Sequence, residues 1–77
     1  MEKQKLLLGK IQSVADLGNI VRKRRKQMGI TQLDLSGITG VGNRFIVDLE
    51  NGKETIQLGK ALSIISWVGI ELVAVEK

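Results

Sequence analysis

Residues 29 to 53 read GITQLDLSGITGVGNRFIVDLENGK, and four side chains in that stretch can do chemistry. Arg44 can offer two parallel donors to guanine O6 and N7, and Asn43 can pair in the same bidentate way with adenine N6 and N7. Gln32 suits a phosphate or a base edge, and Lys53, with the backbone N–H groups of Asn51 and Gly52, suits a flanking phosphate. That chemistry is recognition by hydrogen bond. Covalent catalysis has little to work with, because the 77 residues include no histidine and no cysteine. Thiolates, disulfides and the common zinc sites are thereby removed. No glycine-rich phosphate loop with its Lys-Ser/Thr follows a strand, and the eight acidic residues are scattered without a paired-carboxylate site. The expectation is therefore a binding protein with no cofactor and no metal, not an enzyme.

The charge balance agrees with an anionic partner. Twelve basic residues against eight acidic give a net charge of +4, and five of the basic ones are consecutive from Arg22 to Lys26. Such a block is ordinarily a solvated helix face. Arg22, Lys23 and Lys26 are expected to act as diffuse electrostatics that favour DNA and make its binding fall with salt. The charges surround the helix instead of opposing a broad apolar face, which argues against a membrane surface. The only apolar run near the start, Leu6 to Leu8, is too short for a signal peptide, and no stretch approaches a membrane span. A cytoplasmic location is expected.

The elements that must position these residues follow from caps and periodicity. The length implies one domain, residues 1–77, with a core modest enough that a partner subunit is the expected source of extra stability. Residues 1–12 form an N-terminal extension whose KLLLGKI (5 to 11) is a poorly alternating strand candidate. A helical core covers 13–68. Ser13 and Asp16 have capping-box spacing and open a helix to about Met28, with Leu17, Ile20, Val21, Arg24 and Met28 on one face and Arg25 at its edge. Gly29 ends it. Thr31 caps a second helix from Gln32 to about Ile38, burying Leu35 and Ile38. Gly40 supplies a sharp turn, and Ser36 lets the helices approach. A third helix, Asn43 to Glu50, buries Ile46 and Leu49, with Val41 packing just before it. The quoted stretch is thus helix, tight turn, helix.

A fourth helix, about Gln57 to Val68, carries the stripe Leu58, Ala61, Leu62, Ile65 and Val68. Ile64 and Trp67 widen it, which suggests a subunit contact; closing of the chain's own core by Trp67 is the other reading. Residues 69–77 alternate as a strand, Ile70, Leu72 and Ala74 facing one way and Val73 and Val75 the other. A lone strand is not stable, so it must pair with the N-terminal segment or with a second subunit. Ile64, Trp67, Ile70, Leu72, Val73 and Val75 are the expected dimer contacts.

In helix-turn-helix geometry the second helix presents its N-terminal residues to the major groove. Gly42, Val47 and Asp48 complete the expected DNA-facing set with Gln32, Asn43, Arg44 and Lys53. Asp48 can accept from cytosine N4 or simply repel phosphate. Phe45 either touches a thymine methyl or packs against the preceding helix.

RKRRKQMGITQLDLSGITGVGNRFIVDLENGK resembles the lambda-repressor-like (Xre/Cro) helix-turn-helix family, over about Leu17 to Gly69. The resemblance implies an all-α fold of about four helices. It also implies an ion pair between an arginine late in the first helix and the glutamate ending the recognition helix, by position Arg25 and Glu50. Gly42 departs from the Ser or Thr expected there, and Gly37 lies inside the second helix at a cost of about 0.5–1 kcal/mol. With a C-terminal strand in place of a fifth helix, the chain is most similar to HipB-like antitoxins. That similarity implies a DNA-binding homodimer on a palindromic operator, repressing its own operon and holding a HipA-like kinase toxin in check. The alternatives are a phage-type repressor, a restriction-system controller, and a toxin-binding adaptor whose DNA affinity is incidental.

Overall fold

A computed structural model describes residues 7–77. Four helices follow one another: α1 Val14–Gln27, α2 Gln32–Thr39, α3 Asn43–Glu50 and α4 Leu58–Trp67. Their ends are set by local chemistry. The Ser13 hydroxyl accepts from the Asp16 backbone N–H, leaving α1 to start at Val14. The Asp16 carboxylate reaches back one residue beyond the cap, to the N–H of Gln12. In α2 the box closes fully: Thr31 Oγ1 accepts from the Asp34 N–H, and the Asp34 carboxylate accepts from the Thr31 N–H. Those bonds, the backbone one first, hold the Asp34 carboxyl below its usual range.

Between α2 and α3 the chain reverses at Gly40, whose φ of +75° is left-handed and favours glycine. Side chains fasten this turn. Ser36 Oγ donates to the Val41 carbonyl at 2.6 Å, and Thr39 Oγ1 donates to the Leu35 carbonyl while accepting from the Val41 N–H. Ser36 is thus more than a small residue that lets helices meet.

The core is formed by Leu17 and Val21 of α1, Leu35 of α2, Ile46 and Leu49 of α3, and Ala61, Ile64 and Ile65 of α4 with Val68 just beyond it. Gly18 is buried where α1 crosses α3. A Cβ there would fall inside the van der Waals shell of the Leu49 carbonyl oxygen, so the two backbones touch because residue 18 has no side chain. Arg24 ties α1 to the far end of α4 by donating from Nε to the Val68 carbonyl at 3.1 Å.

Several expected faces are corrected. In α4 the buried residues are Ala61, Ile64 and Ile65, which with Val68 at its C-cap make the i, i+3, i+4, i+7 set, while Leu58 and Leu62 are exposed. Ile64 is fully buried in the chain's own core and offers nothing to a second subunit. Met28, at the C-cap of α1, and Ile38, in the last turn of α2, are also exposed. No strand occurs among the described residues. Residues 5 and 6 of the N-terminal strand candidate lie outside them, and residues 7 to 11 form no regular element. The expected C-terminal strand is likewise not formed among the described residues: Gly69 and Ile70 bond back to Ser66 and Ile65 of α4, and the residues that follow them form no regular element. Ile70 packs on the core, whereas Trp67, Leu72, Val73 and Val75 face solvent.

Candidate nucleic-acid interface

Asn43 and Arg44 open α3 and are exposed, Arg44 with 85% of its side chain free. Gly42 is the N-cap and supplies no side-chain acceptor, and no acidic residue occupies the first turn. The leading N–H groups of α3 are therefore not bonded by a capping side chain, and the positive end of its dipole carries no neutralising carboxylate. Val47, one turn on, is half-buried.

The structure brings Arg44, Asp48 and Lys53 together. Asp48 Oδ1 lies 3.2 Å from Arg44 Nε, and Oδ2 lies 3.5 Å from Lys53 Nζ. The carboxylate is 17% exposed, and the Asp48 carbonyl also accepts from the Lys53 N–H. Lys53 is placed by the turn after α3, where the Asn51 and Gly52 N–H groups bond back to Val47 and Leu49. Those two N–H groups, expected to meet a phosphate, are occupied by the chain itself.

The far end of α3 is fastened from beneath. Glu50 is buried, and its carboxylate accepts from Arg25 Nε at 2.7 Å and Arg25 Nη2 at 2.9 Å. Arg25 Nη1 completes its set on the Ile30 carbonyl. Gln32 Nε2 donates to the same carboxylate at 3.2 Å, and Arg22 Nε stands 3.4 Å away. Burial pushes the Glu50 carboxyl up, but the bonds from Arg25, Gln32 and Arg22 and the charge of Arg25 outweigh it and hold it below its ordinary value. The bond to Glu50 raises Arg25 against its own desolvation. The α1 cation, the α2 amide and the α3 carboxylate thus form one buried knot.

This knot changes two expectations. Gln32 commits one donor to Glu50 and is half-buried, leaving its second donor and its carbonyl oxygen for a ligand. Arg22 belongs to the ion cluster and is not diffuse charge alone; Lys23 and Lys26 remain exposed. Phe45 is half-buried and packs against the core, with Lys60 Nζ 5.9 Å from its ring centroid. Lys60 had no signal in sequence beyond its charge. Among the described residues no cluster of His, Cys, Asp or Glu could hold a metal, and no helix is long and apolar enough to cross a membrane.

Comparison with known proteins places the geometry in context. A helix-turn-helix family model matches residues 21–70. The uncharacterized HTH-type transcriptional regulator y4mF of Sinorhizobium fredii (strain NBRC 101917 / NGR234) is 46% identical over 63 residues, 82% of this chain and 83% of that protein. Among solved structures, a HipB–O4 20mer complex superposes with a TM-score of 0.80 at 25% identity, covering 90% of this chain and 97% of the other. A HipA–HipB–O2–O3 complex matches with the same TM-score, identity and coverage.

Proposed function

The chain belongs to the helix-turn-helix family, and from that premise we propose that it is a sequence-specific DNA-binding repressor working as a homodimer. The observation that carries this reading is the exposed tip of α3, where Asn43 and Arg44 leave a helix held rigidly by Gly40 behind it and the Arg25–Glu50 knot beneath it. Arg44 and Asn43 read base edges in the major groove, while Lys53 and the free donor of Gln32 meet phosphate. Lys23 and Lys26 add attraction that carries no sequence information. Two copies related by a dyad read a palindrome whose half-sites lie about 34 Å apart or a multiple of it. The exposed Trp67, Leu72, Val73 and Val75, with Ile70 beside them, supply the dimer contact, and the tail becomes a strand when it pairs with its counterpart.

Within that class, likeness to HipB structures solved with operator DNA and with HipA supports a finer reading. The protein is the cytoplasmic antitoxin of a two-gene module, repressing its own operon and holding a HipA-like kinase. The test uses a duplex selected from a random-sequence pool by the unaltered protein. Arg44→Ala should abolish discrimination at the base pair that Arg44 reads, whereas Lys23→Ala should weaken all duplexes alike and flatten the salt dependence. Equal losses from both substitutions would refute the assignment of base reading to α3. A pull-down with the product of the adjacent reading frame tests the toxin partner separately.

A further inference from the structure

We propose that Asp48 is a positioning residue that aims Arg44, and not itself a reader of bases. The inference rests on the DNA-binding reading above. The Asp48 carboxylate meets Arg44 through Nε, one turn along the same helix, at 3.2 Å. A guanidinium has five donors in a fixed fork. When the carboxylate occupies the Nε edge, the terminal Nη1 and Nη2 pair is left to bond guanine O6 and N7. The ion pair biases the orientation of a long side chain that is otherwise 85% exposed before DNA arrives. Immobilising such a side chain only on binding would cost roughly 2- to 12-fold in affinity.

The second oxygen of Asp48 explains how an acidic residue is tolerated on a DNA-facing helix. It faces Lys53 Nζ at 3.5 Å, and the carboxylate is 17% exposed. With a cation on each oxygen, Asp48 presents little uncompensated charge to phosphate. Each of its oxygens is also already engaged by a cation of the same chain. Asp48 therefore acts through its two neighbours.

The test is a double-mutant cycle on the full chain, using the selected duplex, its single-base-pair variants and a random-sequence duplex. Arg44→Ala should lose about 5- to 150-fold discrimination at one base pair. Asp48→Asn should lose roughly 2- to 12-fold at that same base pair, while binding the random duplex more tightly because a negative charge has gone. In the Arg44→Ala background Asp48→Asn should cause no further loss of discrimination. Asp48→Glu, which keeps a carboxylate one turn from Arg44, should retain most of the discrimination. Loss at a different base pair, additive with Arg44→Ala, would overturn the proposal in favour of direct reading. Unchanged or improved discrimination in Asp48→Asn would also overturn it. If Arg44→Ala itself leaves discrimination intact, the DNA-reading assignment of α3 fails along with it.

Discussion

Replacing Glu50 by glutamine removes one charge and almost no volume, and it tests what holds the recognition helix. Arg25 is 8% exposed and Glu50 3%, so neither group can fall back on water. In the variant, two Arg25 nitrogens at 2.7 and 2.9 Å would face a neutral amide with one acceptor oxygen in place of two. Removing one partner of a buried ion pair costs about 3–5 kcal/mol. The lower end applies, because Arg25 keeps the Ile30 carbonyl at 2.9 Å and the amide retains one acceptor. At about 0.05–0.15 kcal/mol per residue, a chain of this length has about 4–12 kcal/mol in all. The substitution therefore removes between about a quarter and three-quarters of the stability. Urea unfolding followed by circular dichroism, at fixed protein concentration, reads the difference. Its pH dependence carries the sign. Glu50 is lowered in the folded state, so its contribution is complete above the unfolded carboxyl value of about 4.3. It fades as pH falls through the folded value. Glutamine does not titrate, so the gap between parent and variant should be constant near neutrality and narrow from about pH 4 downward. A gap under about 1 kcal/mol at neutral pH, or one that persists undiminished to about pH 2, would refute the role given to this pair.

Two further outcomes are expected. Gly18→Ala gains about 1 kcal/mol in helix propensity. It also drives a methyl into the Leu49 carbonyl with Glu50 Cα only 3.1 Å away, and backbone cannot rotate aside. The net effect should be destabilising by about 1–3 kcal/mol, read as a lower Tm; an unchanged or higher Tm would mean that α1 and α3 do not meet so closely. Val73→Asp places a charge on the exposed apolar tail, away from the core. Light scattering at micromolar concentration should show a monomer with unchanged helical circular dichroism, and a persisting dimer would relocate the subunit contact.

How much of this was legible in sequence depends on how local the cause is. The ends of α1, α2 and α3 follow from Ser13, Gly29, Thr31, Gly40 and Asn51-Gly52, each acting on backbone within a turn of itself. The capping partner of Thr31 was equally local: Asp34 stands three residues on and could have been read. The face of α4 was legible in part: Ala61, Ile65 and Val68 fall on the expected stripe and are buried, with Lys60, Ser63 and Ser66 exposed, but Leu58, Leu62 and Ile64 flank those three and periodicity alone does not choose among them. Which of Leu58, Leu62 and Ile64 goes inward is decided by α1, α2 and α3. Gly18 looks like an ordinary penalty inside a helix until α3 is laid across it. Gln32 looked like a free polar residue at a helix start, and its tie to Glu50, 18 residues away, appears only once three helices converge.

The two carboxylates of α3 explain why its aim depends on the rest of the molecule. Asp48 and Glu50 sit in its last turn, where negative charge opposes the helix dipole, and no basic residue of α3 is there to offset them. Eight residues are also too few for a helix to persist by itself in water. The helix exists because Ile46 and Leu49 are buried and because cations reach its carboxylates: Arg25 and Arg22 from α1, and Lys53 from the following turn. The direction in which Asn43 and Arg44 leave the protein is thus set by attachments at the opposite end of the same helix. Loosening the Glu50 knot should accordingly cost Glu50→Gln discrimination between duplexes even under conditions where it remains fully folded. A variant that is folded and weakened but discriminates as well as the parent would show that the tip is oriented by Gly40 and the core alone.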